Sequence, residues 1–143
     1  MPDIYHSFII HGPINKVFEG ISSSQGLDNW WTKSSKGKPE AGSTYELIFG
    51  AKYIWGAAVT KCKINKELEL QMTVADPDWL GTKIGFSLNS KGELTEVNFY
   101  HTGWPENSAH YRISSYCWAM YLRILKRNIE FGEKVPFEER LNV

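Results

Sequence analysis

Residues 108–131 read SAHYRISSYCWAMYLRILKRNIEF, and the fold turns on how this stretch is wound. At about 100° per residue it separates into two faces. Ser114, Cys117, Trp118, Tyr121, Leu122, Ile124, Leu125, Asn128 and Ile129 fall on one broad arc. Arg112, Tyr116, Ala119, Arg123, Lys126, Arg127 and Glu130 fall on the other. The end signals agree. Pro105, Glu106, Asn107 and Ser108 are N-terminal and capping residue types, Gly132 stands where a left-handed terminator belongs, and Pro136 lies beyond it. One helix over this stretch is roughly 36 Å long at 1.5 Å per residue, which is long for a chain of 143 residues. Its apolar arc carries Cys117, Trp118 and Tyr121 where a plain core helix uses Leu and Ala. Two readings stay open: a core helix packed flat on a sheet, or a helix roofing a cavity.

Outward from that helix the chain reads as strands. Thr95, Val97, Phe99 and His101 share one face of the strand before it, and Thr102-Gly103-Trp104-Pro105 leads into the helix. Asn89-Ser90-Lys91-Gly92 is a hairpin-type connection to a strand with Ile84, Phe86 and Leu88 on one face. Ala75 to Gly81 is a loop. Glu67 to Val74 alternates strictly, with Leu68, Leu70, Met72 and Val74 inward and Glu67, Glu69, Gln71 and Thr73 outward, the pattern of an antiparallel sheet with one wet face. Asn65-Lys66 turns the chain, and Tyr53 to Lys61 and Thr44 to Phe49 are two further strands around a Gly50-Ala51-Lys52 turn. Thr32 to Gly42 is polar and turn-rich, and its Lys33, Lys36 and Lys38 read as solvated loop lysines. Gln25 to Trp31 is a short helix, Ser22-Ser23-Ser24 ends another that starts at Gly12-Pro13, and Asp3 to His11 is the first strand. The sum is one strand, two short helices, five strands and one long helix. That order predicts an α+β fold: a curved antiparallel sheet of about six strands with the long helix across its concave side.

The length predicts one domain over residues 1–143. Sixteen basic and sixteen acidic residues balance to zero, which argues against nucleic acid or an acidic membrane surface as the main partner. No apolar run approaches the roughly 18 residues of a membrane span, and the N-terminus MPDIYHSFIIHGP lacks the basic and apolar regions of a signal peptide. Cys62 and Cys117 have no metal-type spacing. Cys117 is expected to be buried, and the pair reads as reduced thiols of a cytoplasmic protein. The informative excess is aromatic: 14% of residues, six of them Trp, suited either to a packed core or to an apolar pocket.

Catalytic signals are weak, and no cofactor or metal is expected. His6, His11, His101 and His110 lack metal-ligand spacing, and His11 and His110 are expected to be exposed. No nucleophile-elbow or phosphate-cradling motif is present. Asp76 and Asp78 flank Pro77 as turn formers, with a carboxylate pair for acid–base work as the alternative.

Three stretches carry a family resemblance. Gly12-Pro13-Ile14-Asn15-Lys16-Val17-Phe18 with the nearby Trp30-Trp31, the run from Thr95 to Trp104, and the run from Tyr116 to Lys126 together resemble the helix-grip (START, birch-pollen-allergen or SRPBCC) superfamily. They look most like its Aha-type branch, the activators of heat-shock-chaperone ATPase. That branch usually has Gly where this chain has Cys117, which narrows the space under the helix. The resemblance implies a curved sheet gripping the C-terminal helix around a cavity. Superfamily members bind lipids, hormones or polyketides, some are cyclases or hydrolases, and the founding Aha-type proteins are co-chaperones.

On that frame the concave surface takes Trp55, Phe86, Phe99, His101, Trp118, Tyr121, Leu122 and Leu125, with Trp30, Trp31, Trp104 and Tyr111 at the mouth. An apolar wall with a few hydrogen-bonding tips suits an apolar or amphiphilic small molecule; the alternative is that these rings fill the core. His101, with Tyr121 and Trp118, is the polar group placed to orient a ligand, or else a satisfied structural histidine. Three functions follow: a small-molecule-binding module; a co-chaperone-like interaction module meeting an acidic partner through Arg112, Arg123, Lys126 and Arg127; or a cavity enzyme with His101 as acid or base. Monomer and homodimer both fit.

Overall fold

A computed structural model describes residues 2–143. The elements run β1 (Ile4–Ile10), α1 (Ile14–Ser22), α2 (Ser24–Asp28), β2 (Ser34–Lys36), β3 (Thr44–Ile48), β4 (Ile54–Lys63), β5 (Glu67–Val74), β6 (Lys83–Lys91), β7 (Leu94–Thr102) and α3 (Ala109–Phe131), with a 3-10 segment at Phe137–Asn142. The strands form one antiparallel sheet in the order β1-β7-β6-β5-β4-β3-β2. It is a meander from β2 to β7, with β1 added beyond β7. The sheet wraps α3, the helix-grip arrangement.

The long helix begins and ends where its caps dictate. Ser108 Oγ accepts from the Tyr111 amide at 3.2 Å, and Gly132 closes the helix at φ 70°, a left-handed conformation that costs glycine little. Ser23 closes α1 and opens α2: its amide donates to Glu19 O, and its side chain accepts from Gly26 N. The β6–β7 hairpin turns on Gly92 and Glu93, with Gly92 at φ 68°, between the paired Lys91 and Leu94. Leu68, Leu70 and Met72 of β5, Ile84, Phe86 and Leu88 of β6, and Val97 and Phe99 of β7 face Trp118, Leu122 and Leu125 of α3 in the core.

The expected sheet of about six strands has seven, because the polar stretch from Thr32 to Gly42 contributes the three-residue β2, with no apolar alternation to betray it. Three expectations are corrected. The second short helix stops at Asp28, because the amides of Trp30, Trp31 and Thr32 all converge on Leu27 O as a turn. Val74 is exposed, because β5 outruns its neighbour; pairing with β6 ends at Gln71 and Lys83. Glu69, expected in water, is only 5% exposed on the outer sheet face.

The burial of Glu69 follows from register. Glu69, Gly85 and Tyr100 lie in one row across β5, β6 and β7. Gly85 has no side chain, and a Cβ there would sit inside the Tyr100 ring. The ring therefore lies across β6, and its hydroxyl donates to the Glu69 carboxylate. Thr60 Oγ1 donates to the same carboxylate at 2.7 Å, and Lys83 Nζ lies 3.9 Å away. Burial raises the Glu69 carboxyl, but the hydrogen bonds from Tyr100 and Thr60, with Lys61 and Lys83, outweigh it and hold it below its ordinary value.

The chain ends are tied in. Tyr111 Oη donates to Asp3 O at 2.6 Å, and Gly103 N donates to Asp3 Oδ1 at 3.0 Å. Arg140, 5% exposed, donates to Val135 O, Thr32 O and Asp28 O. It fastens the C-terminal strap against α2 and the turn that follows.

Candidate functional site

All six tryptophans belong to one connected aromatic network under α3. Trp118 is its hub. Its ring centroid is 5.2 Å from Trp31, 5.9 Å from Trp79, 6.4 Å from Trp30 and 4.6 Å from Phe99. Trp104 joins through Trp79, and Trp55 joins through Trp79 and Phe49. Offset and edge-on pairs of this kind each add about 0.5–1.5 kcal/mol beyond the area they bury.

Beside this network lies a cavity of about 430 Å³, within the range of roughly 300–1,000 Å³ typical of ligand sites. One wall is the β3–β4 region: Phe49, Tyr53 and Trp55, with Trp31 behind. A second is the loop between β5 and β6, which brings Asp76 and Trp79. A third is the N-terminal half of α3, with His110, Ile113, Ser114, Cys117, Trp118 and Tyr121, and Leu141 of the strap completes the rim. Trp79 reaches the wall because the loop folds as one helical turn, with the amides of Trp79 and Leu80 both donating to Asp76 O.

Of the twelve candidate residues, Trp31, Trp55, Trp118 and Tyr121 line this cavity. Trp30 and Trp104, placed at a mouth by the sequence, are fully buried. Trp30 Nε1 donates to Gly20 O at 2.9 Å, and Trp104 packs edge-on to Tyr111. Phe86, Phe99 and Leu125 are core. Leu122 is buried on the far side of the helix beside β1, and Tyr111 is half-buried against Trp104 and Asp3. The residues not singled out from sequence are Phe49, Tyr53, Asp76, Trp79, His110, Ile113, Ser114, Cys117 and Leu141. For Phe49 and Tyr53 a signal existed, since each shares a strand face with residues that point inward. Trp79 and Leu141 sit outside any periodic segment, where alternation carries no information.

His101 is sealed away from the cavity at zero exposure. Trp118 Nε1 donates to His101 Nδ1 at 3.0 Å, His101 Nε2 lies 2.8 Å from Thr82 Oγ1, and Thr82 Oγ1 donates to Trp79 O at 2.6 Å. The tautomer follows from this chain: Nδ1 must accept, so Nε2 carries the proton and donates to Thr82. Burial, with a smaller effect from His110, lowers its pKa to about 3. His101 is a neutral strut between sheet and helix, and it touches no ligand space.

The polar groups that do face the cavity are others. His110 is half-buried rather than exposed; it stacks on Trp79, with Nδ1 3.1 Å from Asp78 Oδ2. Cys117 is half-buried rather than buried, and burial raises its thiol above the ordinary value, so it stays protonated. Burial likewise raises the Tyr121 hydroxyl, Cys117 adds to the effect and Arg140 opposes it. The wall therefore offers an Asp76 carboxylate, a His–Asp pair, a thiol and two phenols. Among the described residues no group of three His, Cys, Asp or Glu could hold a metal ion, and no helix is long and apolar enough to cross a membrane.

Residues 11–130 match the family described as Activator of Hsp90 ATPase homolog 1-like protein. No curated protein sequence matches the chain. Among solved structures, the Aha1 dimer from Colwellia psychrerythraea is 30% identical with a TM-score of 0.84, over 93% of this chain and 99% of that one. A Mesorhizobium loti protein is 17% identical with a TM-score of 0.81, over 92% and 99% of the two chains. A Staphylococcus saprophyticus protein is 18% identical with a TM-score of 0.79, over 94% and 96%. The last two share the fold.

Proposed function

We propose, from the premise that this chain belongs to the Activator of Hsp90 ATPase homolog 1-like family, that it is a small-molecule-binding module whose site is the cavity between β3–β4 and the first half of α3. The observation that carries this reading is the wall itself: seven aromatic rings around about 430 Å³, with a few hydrogen-bonding tips at the rim. The ligand lies against the rings of Trp31, Trp55 and Trp118, and Tyr121 and Asp76 supply its polar contacts. The module works in the cytoplasm, where Cys62 and Cys117 remain free thiols.

Native mass spectrometry of protein purified gently from its own host cells tests this reading. The expected result is a reproducible extra mass that disappears on denaturation and is missing from Cys117→Trp, which fills the cavity. A wild-type spectrum with no added mass, or an undiminished added mass on a folded Cys117→Trp protein, defeats it.

Family membership favours a second reading, modulation of a heat-shock chaperone ATPase. Among the described residues, Arg112 and Arg123 on the outer face of α3 have no carboxylate partner and are the cations for an acidic partner, Arg112 donating only to Asn107 O and Oδ1. Lys126 is occupied by Glu130 and Ile9 O, and Arg127 by Glu133. Failure of the chaperone to co-purify, with no change in its ATPase rate on adding this protein, removes that reading. The cavity-enzyme reading is left without its candidate base, since His101 does not line the cavity. The Colwellia relative is a dimer, and homodimerisation is carried over as a proposal; sedimentation velocity showing only monomer at all concentrations would reject it.

A further inference from the structure

Five of the cavity rings close on themselves. Trp31 to Phe49 is 5.5 Å between centroids, Phe49 to Trp55 5.4 Å, Trp55 to Trp79 5.1 Å, Trp79 to Trp118 5.9 Å, and Trp118 back to Trp31 5.2 Å. Four of the five neighbouring pairs are tilted by more than 40° to each other. A closed five-membered ring with such sides keeps its middle about 4.6 Å or less, on average, from the centroids, inside the roughly 6 Å over which an aromatic face attracts a cation.

The fixed charges that line this ring are acidic, while Arg140, which acts on Tyr121 from behind the wall, spends its donors on the Val135, Thr32 and Asp28 carbonyls. Among the described residues no lysine or arginine lines the cavity. Asp76 lines it, and Asp78 stands behind His110. With His110 neutral the three side chains sum to −2, and with it protonated to −1. A carboxylate or phosphate ligand finds no lining lysine or arginine here, and faces Asp76. Aromatic faces carry negative quadrupoles, so rings and carboxylates reinforce each other.

We infer that the cavity takes an organic cation: an alkylated or quaternary ammonium group, caged by Trp31, Phe49, Trp55, Trp79 and Trp118 beside the Asp76 carboxylate, on an apolar body. This rests on the cavity being a ligand site and adds the chemical class of the ligand. Trp55 and Phe49 form the outer arc of the cage, and Trp118 and Trp79 form its floor beneath α3.

The test uses the full chain and three molecules of one shape. Phenyltrimethylammonium and tert-butylbenzene differ only in replacing a charged nitrogen by carbon, and benzenesulfonate reverses the charge. Calorimetric titration at low salt should show the ammonium binding about tenfold or more tighter than its carbon isostere, as desolvated cation–π contacts require, with benzenesulfonate not binding. Asp76→Asn should weaken the ammonium about threefold, as for an exposed charge, and leave tert-butylbenzene unchanged. Trp55→Leu should weaken the ammonium more than the isostere, with the fold checked by circular dichroism. Co-sedimentation with phosphatidylcholine vesicles assigns the source: pelleting indicates a lipid headgroup, and retention in solution a free ammonium compound.

If tert-butylbenzene or benzenesulfonate binds as tightly as the ammonium, the cation inference is overturned and the binding-module reading stands. A host-derived mass without a nitrogen cation has the same effect. If none of the three binds and the native spectrum carries no added mass, both readings fall together.

Discussion

Acidification should weaken this protein through His101 before any carboxylate responds. The imidazole is neutral in the folded state, with its pKa lowered to about 3 from an ordinary 6.5 by burial. The unfolded chain therefore binds one more proton than the folded one between those two values. Stability is complete above about pH 6.5 and falls by about 1.4 kcal/mol per pH unit below it, until the folded pKa is reached. Between about pH 7 and pH 5 the loss from this one group is about 2 kcal/mol, an order-of-magnitude figure. Glu69 and Glu130 act in a lower window. Their folded pKa values are depressed from 4.5, so their contribution is present above 4.5 and lost as the pH falls through the folded values. Urea unfolding followed by circular dichroism at about pH 7 and pH 5 measures the first window alone. His101→Gln will be less stable than wild type at both pH values, because Trp118 Nε1 and Thr82 lose a well-placed partner. The decisive quantity is the difference between the two pH values. It should shrink in the variant by about 2 kcal/mol relative to wild type. An equal pH 7-to-5 loss in both proteins would refute the assignment of His101 as a buried neutral strut.

Three further outcomes follow from contacts described above. Tyr100→Phe leaves the buried Glu69 carboxylate one hydrogen bond short and should cost about 1.5–3 kcal/mol in urea unfolding; a loss below about 0.5 kcal/mol would mean that the phenol is not holding the carboxylate. Gly85→Ala places a Cβ where the Tyr100 ring lies and should cost at least as much as Tyr100→Phe, whereas in the Tyr100→Phe, Gly85→Ala double variant the two losses should be strongly non-additive. Arg140→Met removes the donors to Val135, Thr32 and Asp28 carbonyls, and should speed amide exchange across residues 133–143 while β5 to β7 stay protected; unchanged exchange in the strap would show that Arg140 does not fasten it.

The architecture was largely legible because its signals are local. Ser108 and Gly132 bracket α3, and strict alternation marks β5, β6 and β7, since a half-buried strand must show period two. Where the sequence misled, a non-local cause intervened. Glu69 alternates outward as a solvated residue would, and only the row through Gly85 to Tyr100 buries it. His101 alternates inward correctly, yet whether it meets a ligand depends on Thr82 and Trp118, which come from a loop and another element. Trp30 and Trp104 carry the composition of a cavity mouth but are drawn wholly into the core. Trp79, in an aperiodic loop, and Leu141, in the strap, reach the cavity through tertiary folding alone. The sequence placed an aromatic site under α3; the closed ring of five needed coordinates, because ring-to-ring distances have no counterpart in periodicity.

The place of β1 in the sheet has a consequence for how the chain is made. Among the described residues β1 pairs with β7 alone, and its partners, such as Ile4 and His101, are 97 residues apart. At about 5–20 residues per second, β1 waits some 5–20 s before β7 exists to pair with it. The meander from β2 to β7 can assemble hairpin by hairpin in that time, each turn closing a short loop. The N-terminal strand is therefore the last piece of the sheet to dock, and the part most exposed to mispairing while the ribosome is still at work.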